Sequence, residues 1–301
     1  MNILITGASG FIGSHLGNYL QSKTNRPLSI IGLDNDLHPC GQPTTFPTEY
    51  GDVRYYEDVD GLIENADLVY HLAAQINVDK SIEFPQETID INIMGTLNVL
   101  NACRRYRVPM VFASTSEIYG SHTGSISEGS EPRSQSPYAT SKLAADKLCG
   151  NYHDLYGLEI YRTRFFNVFG EWQNDDENGA VIPRFTTQAI NGQDLTIYGD
   201  GSQSRDFIHV DDVVRAYEMI PRISELSGEP INIGTGDTHT IKSIAENIIK
   251  FAKSDVKQMH LESRKGEVQR LQADTSLIAS HGFTPNIKFK DGLRRYVLWR
   301  K

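Results

Sequence analysis

The segment SPYATSKLAADKL places a tyrosine and a lysine four residues apart at the start of a predicted helix. Ser136 and Pro137 suit the N-cap and first position of that helix, and Gly157 suits its C-terminal end. Tyr138 and Lys142 are then neighbours on one helical face. Because a nearby ammonium favours the phenolate, we expect Lys142 to lower the pKa of Tyr138, which starts near ~10. The phenol could then act as a base near neutral pH.

A glycine-rich segment, ILITGASGFIGSHL, follows the first predicted strand and opens the first predicted helix. Gly7 permits a tight turn, Gly10 lets the backbone approach a pyrophosphate, and Gly13 allows close helix packing. The N-terminus of the helix would face the anion. The spacing is GxxGxxG rather than GxGxxG, and glycines after a strand often only shape a turn.

An acidic residue at the end of the second predicted strand, LSIIGLD, narrows the choice of cofactor. Asp34 lies 21 positions after Gly13. A carboxylate at this place accepts hydrogen bonds from the ribose hydroxyls of adenosine and repels a 2′-phosphate. The sequence therefore predicts NAD rather than NADP.

Hydroxyl side chains end a later strand in the segment MVFASTSEIYG. The carboxyl ends of the strands are where a doubly wound sheet binds its ligands. The hydroxyl of Thr115 could hold a substrate oxygen there while Tyr138 takes its proton and NAD takes the hydride.

Short β-branched runs alternate with helical patterns in the first half of the chain, as in βαβ units that feed a parallel sheet. The predicted strands are Ile3 to Thr6, Leu28 to Asp34, Val53 to Tyr56, Leu68 to Leu72, Pro109 to Ser114 and Glu159 to Phe166. The predicted helical segments are Ile12 to Leu20, Pro85 to Tyr106, Tyr138 to Tyr156, Val210 to Met219 and Ile241 to Ala252. We expect an α/β fold with a Rossmann-type doubly wound parallel sheet.

Turn-rich segments after Phe169 indicate a smaller C-terminal lobe that is interleaved with the sheet. We expect residues 1–166, joined by about 205–222, to form an NAD-binding domain. Residues 167–204 and 223–301 would form the lobe that binds the substrate.

The composition is that of an ordinary globular protein, with 39% hydrophobic and 22% charged residues in a chain of 301. No apolar run approaches the ~20 residues of a membrane span, and the N-terminus does not resemble a signal peptide, so we expect a cytoplasmic protein without membrane contact. A net charge of −9 argues against a nucleic-acid partner. The three scattered cysteines predict neither disulfides nor a metal site.

These motifs together resemble the extended short-chain dehydrogenase/reductases, and more narrowly their nucleotide-sugar epimerases and dehydratases, such as UDP-glucose 4-epimerase. The resemblance extends over nearly the whole chain. It includes HLAA at His71 to Ala74, NIMGTLNVL at Asn92 to Leu100, RFFNVFG at Arg164 to Gly170, IYGDGSQSRDFIHVDD at Ile197 to Asp212 and NIGTG at Asn232 to Gly236.

The resemblance implies a catalytic set of Thr115, Tyr138 and Lys142, with Lys142 also holding the nicotinamide ribose. Further cofactor contacts would come from Gly7, Gly10, Phe11, Ile12, Gly13, Asp34, Asn35, Asp58, Val59, Leu72, Ala73 and Ala74. The substrate would be a UDP-, dTDP- or GDP-hexose, in contact with Ser116, Asn167, Val181, Arg205 and Arg264. Guanidinium groups suit a pyrophosphate in an acidic protein, although surface ion pairs are the alternative for both arginines.

Several reactions begin with oxidation of a sugar at C4. If the ketone turns over and takes the hydride back on its other face, the enzyme is a 4-epimerase, which is the reaction we favour. If a base removes the C5 proton, a hydroxyl at C6 can leave, and the enzyme is a 4,6-dehydratase or a related decarboxylase. A protein of this fold that binds NAD without turnover is a third possibility.

Glu117 is the candidate for that base, two residues after Thr115. Similar enzymes that eliminate or decarboxylate commonly have a glutamate there, although Glu117 could also be only a loop residue. The best-known sugar dehydratases place an aspartate between the threonine and the glutamate, where this chain has Ser116; GDP-mannose-type dehydratases share Thr-Ser-Glu.

We also expect a homodimer. The helices at Asn92 to Tyr106 and Tyr138 to Tyr156 would pack with their copies as a four-helix bundle. This expectation rests partly on the resemblance and partly on apolar positions outside one core-facing stripe, such as Leu143, Leu148 and Leu155.

Overall fold

The structure is a computed structural model, and it describes residues 1–23, 28–36, 40–174, 180–263 and 268–301. The chain divides into two compact units. Unit 1 contains Met1–Ile118, Ser134–Phe165 and Val214–Ile231, and unit 2 contains Tyr119–Arg133, Phe166–Val213 and Asn232–Lys301. The chain passes repeatedly from one unit to the other. Which unit binds NAD and which binds the sugar nucleotide stays a prediction.

The strands, in chain order, are β1 (Asn2–Thr6), β2 (Ser29–Asp34), β3 (Thr48–Tyr50), β4 (Leu68–His71), β5 (Met110–Thr115), β6 (Ile160–Phe165), β7 (Asn167–Phe169), β8 (Leu195–Tyr198), β9 (Ser204–His209), β10 (Pro230–Ile233), β11 (Thr238–Thr240), β12 (Gln258–Leu261) and β13 (Arg270–Leu271).

The helices are α1 (Phe11–Lys23), α2 (Tyr56–Glu64), α3 (Val78–Glu83), α4 (Pro85–Ile89), α5 (Thr96–Tyr106), α6 (Pro137–Tyr156), α7 (Val181–Ile190), α8 (Val210–Met219), α9 (Ile241–Ala252), α10 (Ser276–Ser280) and α11 (Phe289–Arg300). A π-helical segment, Asp90–Gly95, joins α4 to α5, and short 3-10 turns lie at Ser116–Tyr119, Ile220–Arg222 and Ser224–Leu226. No described helix is both long enough and apolar enough to span a bilayer.

A seven-stranded sheet has the strand order β10-β6-β5-β4-β1-β2-β3. The pairs from β6 to β3 are all parallel. Its central strands are apolar on both faces and are buried, for example at Leu4, Val69 and Phe112, because helices cover both sides of a parallel sheet. The predicted fold class, a Rossmann-type doubly wound sheet with a smaller interleaved lobe, is confirmed.

One of the predicted strands is wrong. The strand predicted at Val53 to Tyr56 is a turn that leads into α2, and the edge strand is β3 instead. The Asp52 carboxylate accepts hydrogen bonds from the backbone and side chain of Arg54, and such an aspartate favours a turn over an extended strand. The segment from Pro85 to Tyr106 is helical throughout, as predicted, and consists of α4, the π-helical segment and α5.

Unit 2 has its own core. β9 pairs with β7, β11 and β13, and β8 pairs with β12. Apolar faces of α7, α9 and α11 meet there, with Phe185, Ile244 and Tyr296 fully buried. The amphipathic pattern of α9, with apolar residues at helical spacing, was readable in the sequence.

Candidate active site

The turn between β1 and α1 is built around glycine. Gly7 has a φ of +72°, and a Cβ there would lie 2.8 Å from the backbone nitrogen of Ala73. At Gly13 a Cβ would lie 2.2 Å from the carbonyl oxygen of Gly7, so the first turn of α1 can pack on the loop only without a side chain. A Cβ at Gly10 would lie 3.1 Å from the same oxygen. This bare turn at a helix N-terminus fits the pyrophosphate of a dinucleotide.

The Asp34 carboxylate ties the end of β2 to this turn. Its Oδ2 accepts a hydrogen bond from the Ser9 amide at 2.8 Å, and its Oδ1 accepts one from the Asp36 amide at 2.9 Å. Burial raises the pKa of Asp34, and these two backbone donors oppose the rise. Asn35 follows directly and donates to the Asp52 carboxylate at 3.2 Å.

The other residues predicted to contact NAD lie on elements of the same unit. Phe11 and Ile12 open α1, Leu72 to Ala74 follow the end of β4, and Asp58 and Val59 lie in the first turns of α2. Asp58 accepts a hydrogen bond from the backbone of Asp52 at 2.8 Å, which links α2 to the segment after β3.

A buried histidine that the sequence motifs did not single out as a site residue supports the glycine turn. His71 Nε2 lies 3.0 Å from the hydroxyl of Thr96, which itself donates to the carbonyl of Asn92, so the proton of the neutral ring is on Nε2. His71 Nδ1 therefore accepts from the Thr6 hydroxyl at 2.7 Å, and Thr6 in turn accepts from the Ala73 amide. Burial, with a smaller effect from Lys142, lowers the pKa of His71 to about 3, so the ring is neutral.

Thr115, Tyr138 and Glu117 come together at the end of β5. The Ser136 hydroxyl accepts from the Ala139 amide and caps α6, which brings Tyr138 into the first turn of this helix. The phenol of Tyr138 is hydrogen-bonded to the Thr115 hydroxyl, and Thr115 Oγ1 also accepts from the Glu117 amide at 3.2 Å. The arrangement places a phenol and a hydroxyl where both could bind one substrate oxygen.

The prediction that the pKa of Tyr138 is lowered is wrong. Burial raises the pKa of Tyr138 to about 12; the hydrogen bond from Thr115 opposes this, and the nearby Glu117 carboxylate adds to it. Lys142 is also buried, with its Nζ 4.3 Å from the ring centroid of Phe112. Burial lowers the pKa of Lys142 to about 8, so desolvation acts on both members of the pair.

Asn92, inside the π-helical segment, connects the parts of this site. Its Oδ1 accepts from the Gln75 amide at 2.8 Å, and its Nδ2 donates to the Gln75 carbonyl and to the Ser141 hydroxyl, each at 2.9 Å. It thus joins the segment after β4 to the helix that carries Tyr138. π-Helical turns often occur at functional sites. The asparagine lay in a motif that supported the resemblance, but its sequence neighbours do not predict a π-helix.

The residues predicted to bind the substrate are divided between the units. Ser116 is buried in the turn after Thr115, in unit 1. Asn167 on β7 donates to the carbonyl of Asp206 at 3.1 Å, Arg205 lies on β9, and Val181 begins α7, all in unit 2. Arg264 lies outside the described residues.

The parallel sheet, the glycine turn and the Thr115, Tyr138 and Lys142 set define an NAD-binding protein of the extended short-chain dehydrogenase/reductase class. The chain belongs to the NAD dependent epimerase/dehydratase family, whose profile matches residues 3–234. It is therefore an NAD-dependent enzyme acting on nucleotide sugars. The third possibility, a protein that binds NAD without turnover, is wrong.

Individual relatives carry out different reactions. The chain is 33% identical over 326 residues to a UDP-N-acetyl-alpha-D-glucosaminuronate decarboxylase of Bacillus cytotoxicus, covering 98% of this chain and 96% of the relative. It is 32% identical over 314 residues to a dTDP-glucose 4,6-dehydratase of Streptomyces niveus, covering 99% of this chain and 92% of the relative. The structure superposes on the crystal structure of a Thermus thermophilus UDP-glucose 4-epimerase in complex with NAD with a TM-score of 0.89 at 33% identity. The match covers 99% of this chain and 98% of the epimerase.

Proposed function

We propose that this protein is a nucleotide-sugar 4-epimerase that oxidises C4 of a UDP-, dTDP- or GDP-hexose transiently. The observation that carries the proposal is the hydrogen-bonded pair of Tyr138 and Thr115 at the end of β5, on the same edge of the parallel sheet as the glycine turn after β1. Thr115 holds the O4 hydroxyl of the sugar, and the Tyr138 oxygen takes its proton as the C4 hydride leaves. NAD, when bound, accepts that hydride and returns it.

The return step needs no further base. The ketone at C4 takes the hydride on its other face, and Tyr138 gives the proton back to O4, so the sugar leaves with only the configuration of C4 changed. Lys142 holds the nicotinamide ribose in this proposal. Asn167, Val181, Arg205 and Arg264 bind the sugar nucleotide, with the two guanidinium groups on its diphosphate.

A 4,6-dehydratase is the second candidate, and one observation favours it. The Glu117 carboxylate is close enough to Tyr138 to raise the pKa of the phenol, so it lies beside the group that would face C4. A base in that neighbourhood could remove the C5 proton. Ser116, however, offers no carboxylic acid to protonate a leaving hydroxyl at C6, which is why epimerisation is preferred.

We also propose a cytoplasmic homodimer formed through α5 and α6. Apolar side chains are exposed on and next to these helices, including Met94 in the π-helical segment before α5 and Leu155 near the end of α6, which are 46% and 72% exposed. A second copy of the same two helices would cover them.

Incubation with NAD and a panel of UDP-, dTDP- and GDP-hexoses and the corresponding hexuronic acids tests the reaction. Mass spectrometry and NMR of the sugar distinguish the candidates. We expect a product of unchanged mass with C4 inverted. A product lighter by one water identifies a dehydratase, and loss of carbon dioxide from a hexuronic acid identifies a decarboxylase.

A further inference from the structure

β9 and β11 bring a histidine next to Arg205. The two strands are antiparallel, and His239 is the residue directly opposite Arg205 in the register. Side chains in directly opposite positions share one face of the sheet, with Cβ atoms about 4.5–5.5 Å apart. His239 therefore lies beside the arginine to which the proposed function assigns the diphosphate of the substrate.

An aromatic cluster holds the His239 ring in place. The imidazole stacks on Phe289 with the ring centroids 3.9 Å apart and the planes inclined by 17°. Phe289 also contacts Phe207, which is buried two residues after Arg205 on the same face of β9. The orientation of the imidazole is thus set by packing, while the residue as a whole stays partly exposed.

The two ring nitrogens of His239 take no part in the hydrogen bonds of the described residues. Among the described residues, none makes a hydrogen bond to Nδ1 or Nε2 of His239. Burial lowers its pKa, and the Asp237 carboxylate only partly opposes the effect, so the ring is neutral near pH 7. A neutral imidazole has one N–H donor and one acceptor nitrogen.

We propose that the ring N–H of His239 donates a hydrogen bond to the diphosphate of the nucleotide sugar, beside the guanidinium of Arg205. The inference rests on the proposed function, which places the diphosphate at Arg205. A guanidinium fork satisfies two oxygens of a diphosphate, and further oxygens remain as acceptors. Phe289 orients the donor in advance, so little conformational freedom is lost on binding.

The alternative is that His239 serves only as a flat ring stacked on Phe289. His239→Phe separates the two roles, because it keeps the stacking and removes both nitrogens. His239→Gln keeps a donor on a flexible chain. Calorimetric titration of each NAD-loaded variant with UDP, dTDP, GDP and the matching nucleoside monophosphates measures the contribution directly, and thermal melting shows that each variant is folded.

We expect His239→Phe to weaken binding of the preferred diphosphate by about 10- to 100-fold, as is typical for loss of a hydrogen bond to a charged group. The loss should be smaller for the monophosphate, and His239→Gln should recover part of it. His281→Phe, at a histidine of the same unit next to α10, is the matched control and should bind like the parent.

Diphosphate affinity of His239→Phe within twofold of the parent would overturn the proposal. So would an equal loss for diphosphate and monophosphate, or a parent that binds none of the three diphosphates. These readouts need no turnover. A parent that binds a diphosphate tightly yet converts no sugar contradicts the proposed reaction and leaves the role of His239 to be decided by the titrations.

Discussion

Replacement of Tyr138 by phenylalanine removes a single hydroxyl from a buried ring. Tyr138 is 9% exposed, and its phenol is hydrogen-bonded to Thr115. Phenylalanine keeps the packing of the ring, so the folded protein should lose only about 1 kcal/mol for one neutral hydrogen bond. The variant should therefore fold and bind NAD like the parent.

The effect on turnover should be much larger. With a pKa of about 12, only about one Tyr138 phenol in 10⁴ is ionised near pH 8. The free-energy cost of forming the phenolate at that pH is therefore about 5.4 kcal/mol. The positive charge of the oxidised nicotinamide favours the phenolate, so NAD should lower the pKa of Tyr138. Loss of a general base typically costs about 10² to 10⁴ in rate, and we expect Tyr138→Phe to fall in that range.

Two measurements check this reasoning. Turnover of the preferred nucleotide sugar is compared for the parent, Tyr138→Phe and the control Tyr152→Phe. Tyr152 lies on the same helix, and its phenol donates a hydrogen bond to the side-chain oxygen of Asn101 at 2.6 Å. The ultraviolet difference spectrum between parent and Tyr138→Phe, titrated with alkali, reports ionisation of Tyr138 with and without NAD. Turnover of Tyr138→Phe within a few-fold of the parent would show that another group is the base. A Tyr138 that ionises near pH 7 in NAD-free protein would refute the dominant role of burial.

Three further predictions concern Asp34, Arg295 and the oligomeric state. Asp34→Ala should weaken NAD binding about 10-fold and leave the fold intact, because it removes the carboxylate that we expect to accept from the ribose and also removes the acceptor of the Ser9 amide. Equal affinity for NAD and NADP in the parent would contradict the role of Asp34. Arg295→Gln should cost about 1 kcal/mol of stability at neutral pH, since contacts with His209 and with Arg295 together hold the pKa of the Glu171 carboxyl below its usual range. That contribution is fully present above the ordinary glutamate pKa and is lost as the pH falls from there through the lowered pKa of the folded protein, so melting curves of parent and variant should converge only in strong acid. Light scattering at micromolar concentration should give twice the chain mass, and a monomer would contradict the proposed α5 and α6 interface.

The sheet and its glycine turn could be predicted because their causes are local. Gly7 is required by its positive φ and Gly13 by a backbone contact within the first βα unit. Ser136, Pro137 and Gly157 bound α6 by capping, which acts within one turn.

The features that escaped prediction depend on distant parts of the chain. The pKa of Tyr138 follows from burial under several elements, and the spacing to Lys142 carries no information about desolvation. The hydrogen bonds of Asn92 reach residues 17 and 49 positions away. The strand expected at Val53 failed because its apolar residue packs against Gly95 from a turn, which hydrophobicity alone cannot distinguish from a strand.

The central claim, that C4 is oxidised and inverted without breaking any other bond to carbon, is tested most directly by running the reaction in D₂O. The parent and Glu117→Gln are each incubated with NAD and the preferred nucleotide sugar, and the product is examined by NMR. We expect a C4-inverted sugar without carbon-bound deuterium, and only a modest change of rate in Glu117→Gln. Deuterium at C5 or C6 together with loss of water, and a general base's worth of rate lost in Glu117→Gln, would contradict the epimerase and establish the dehydratase.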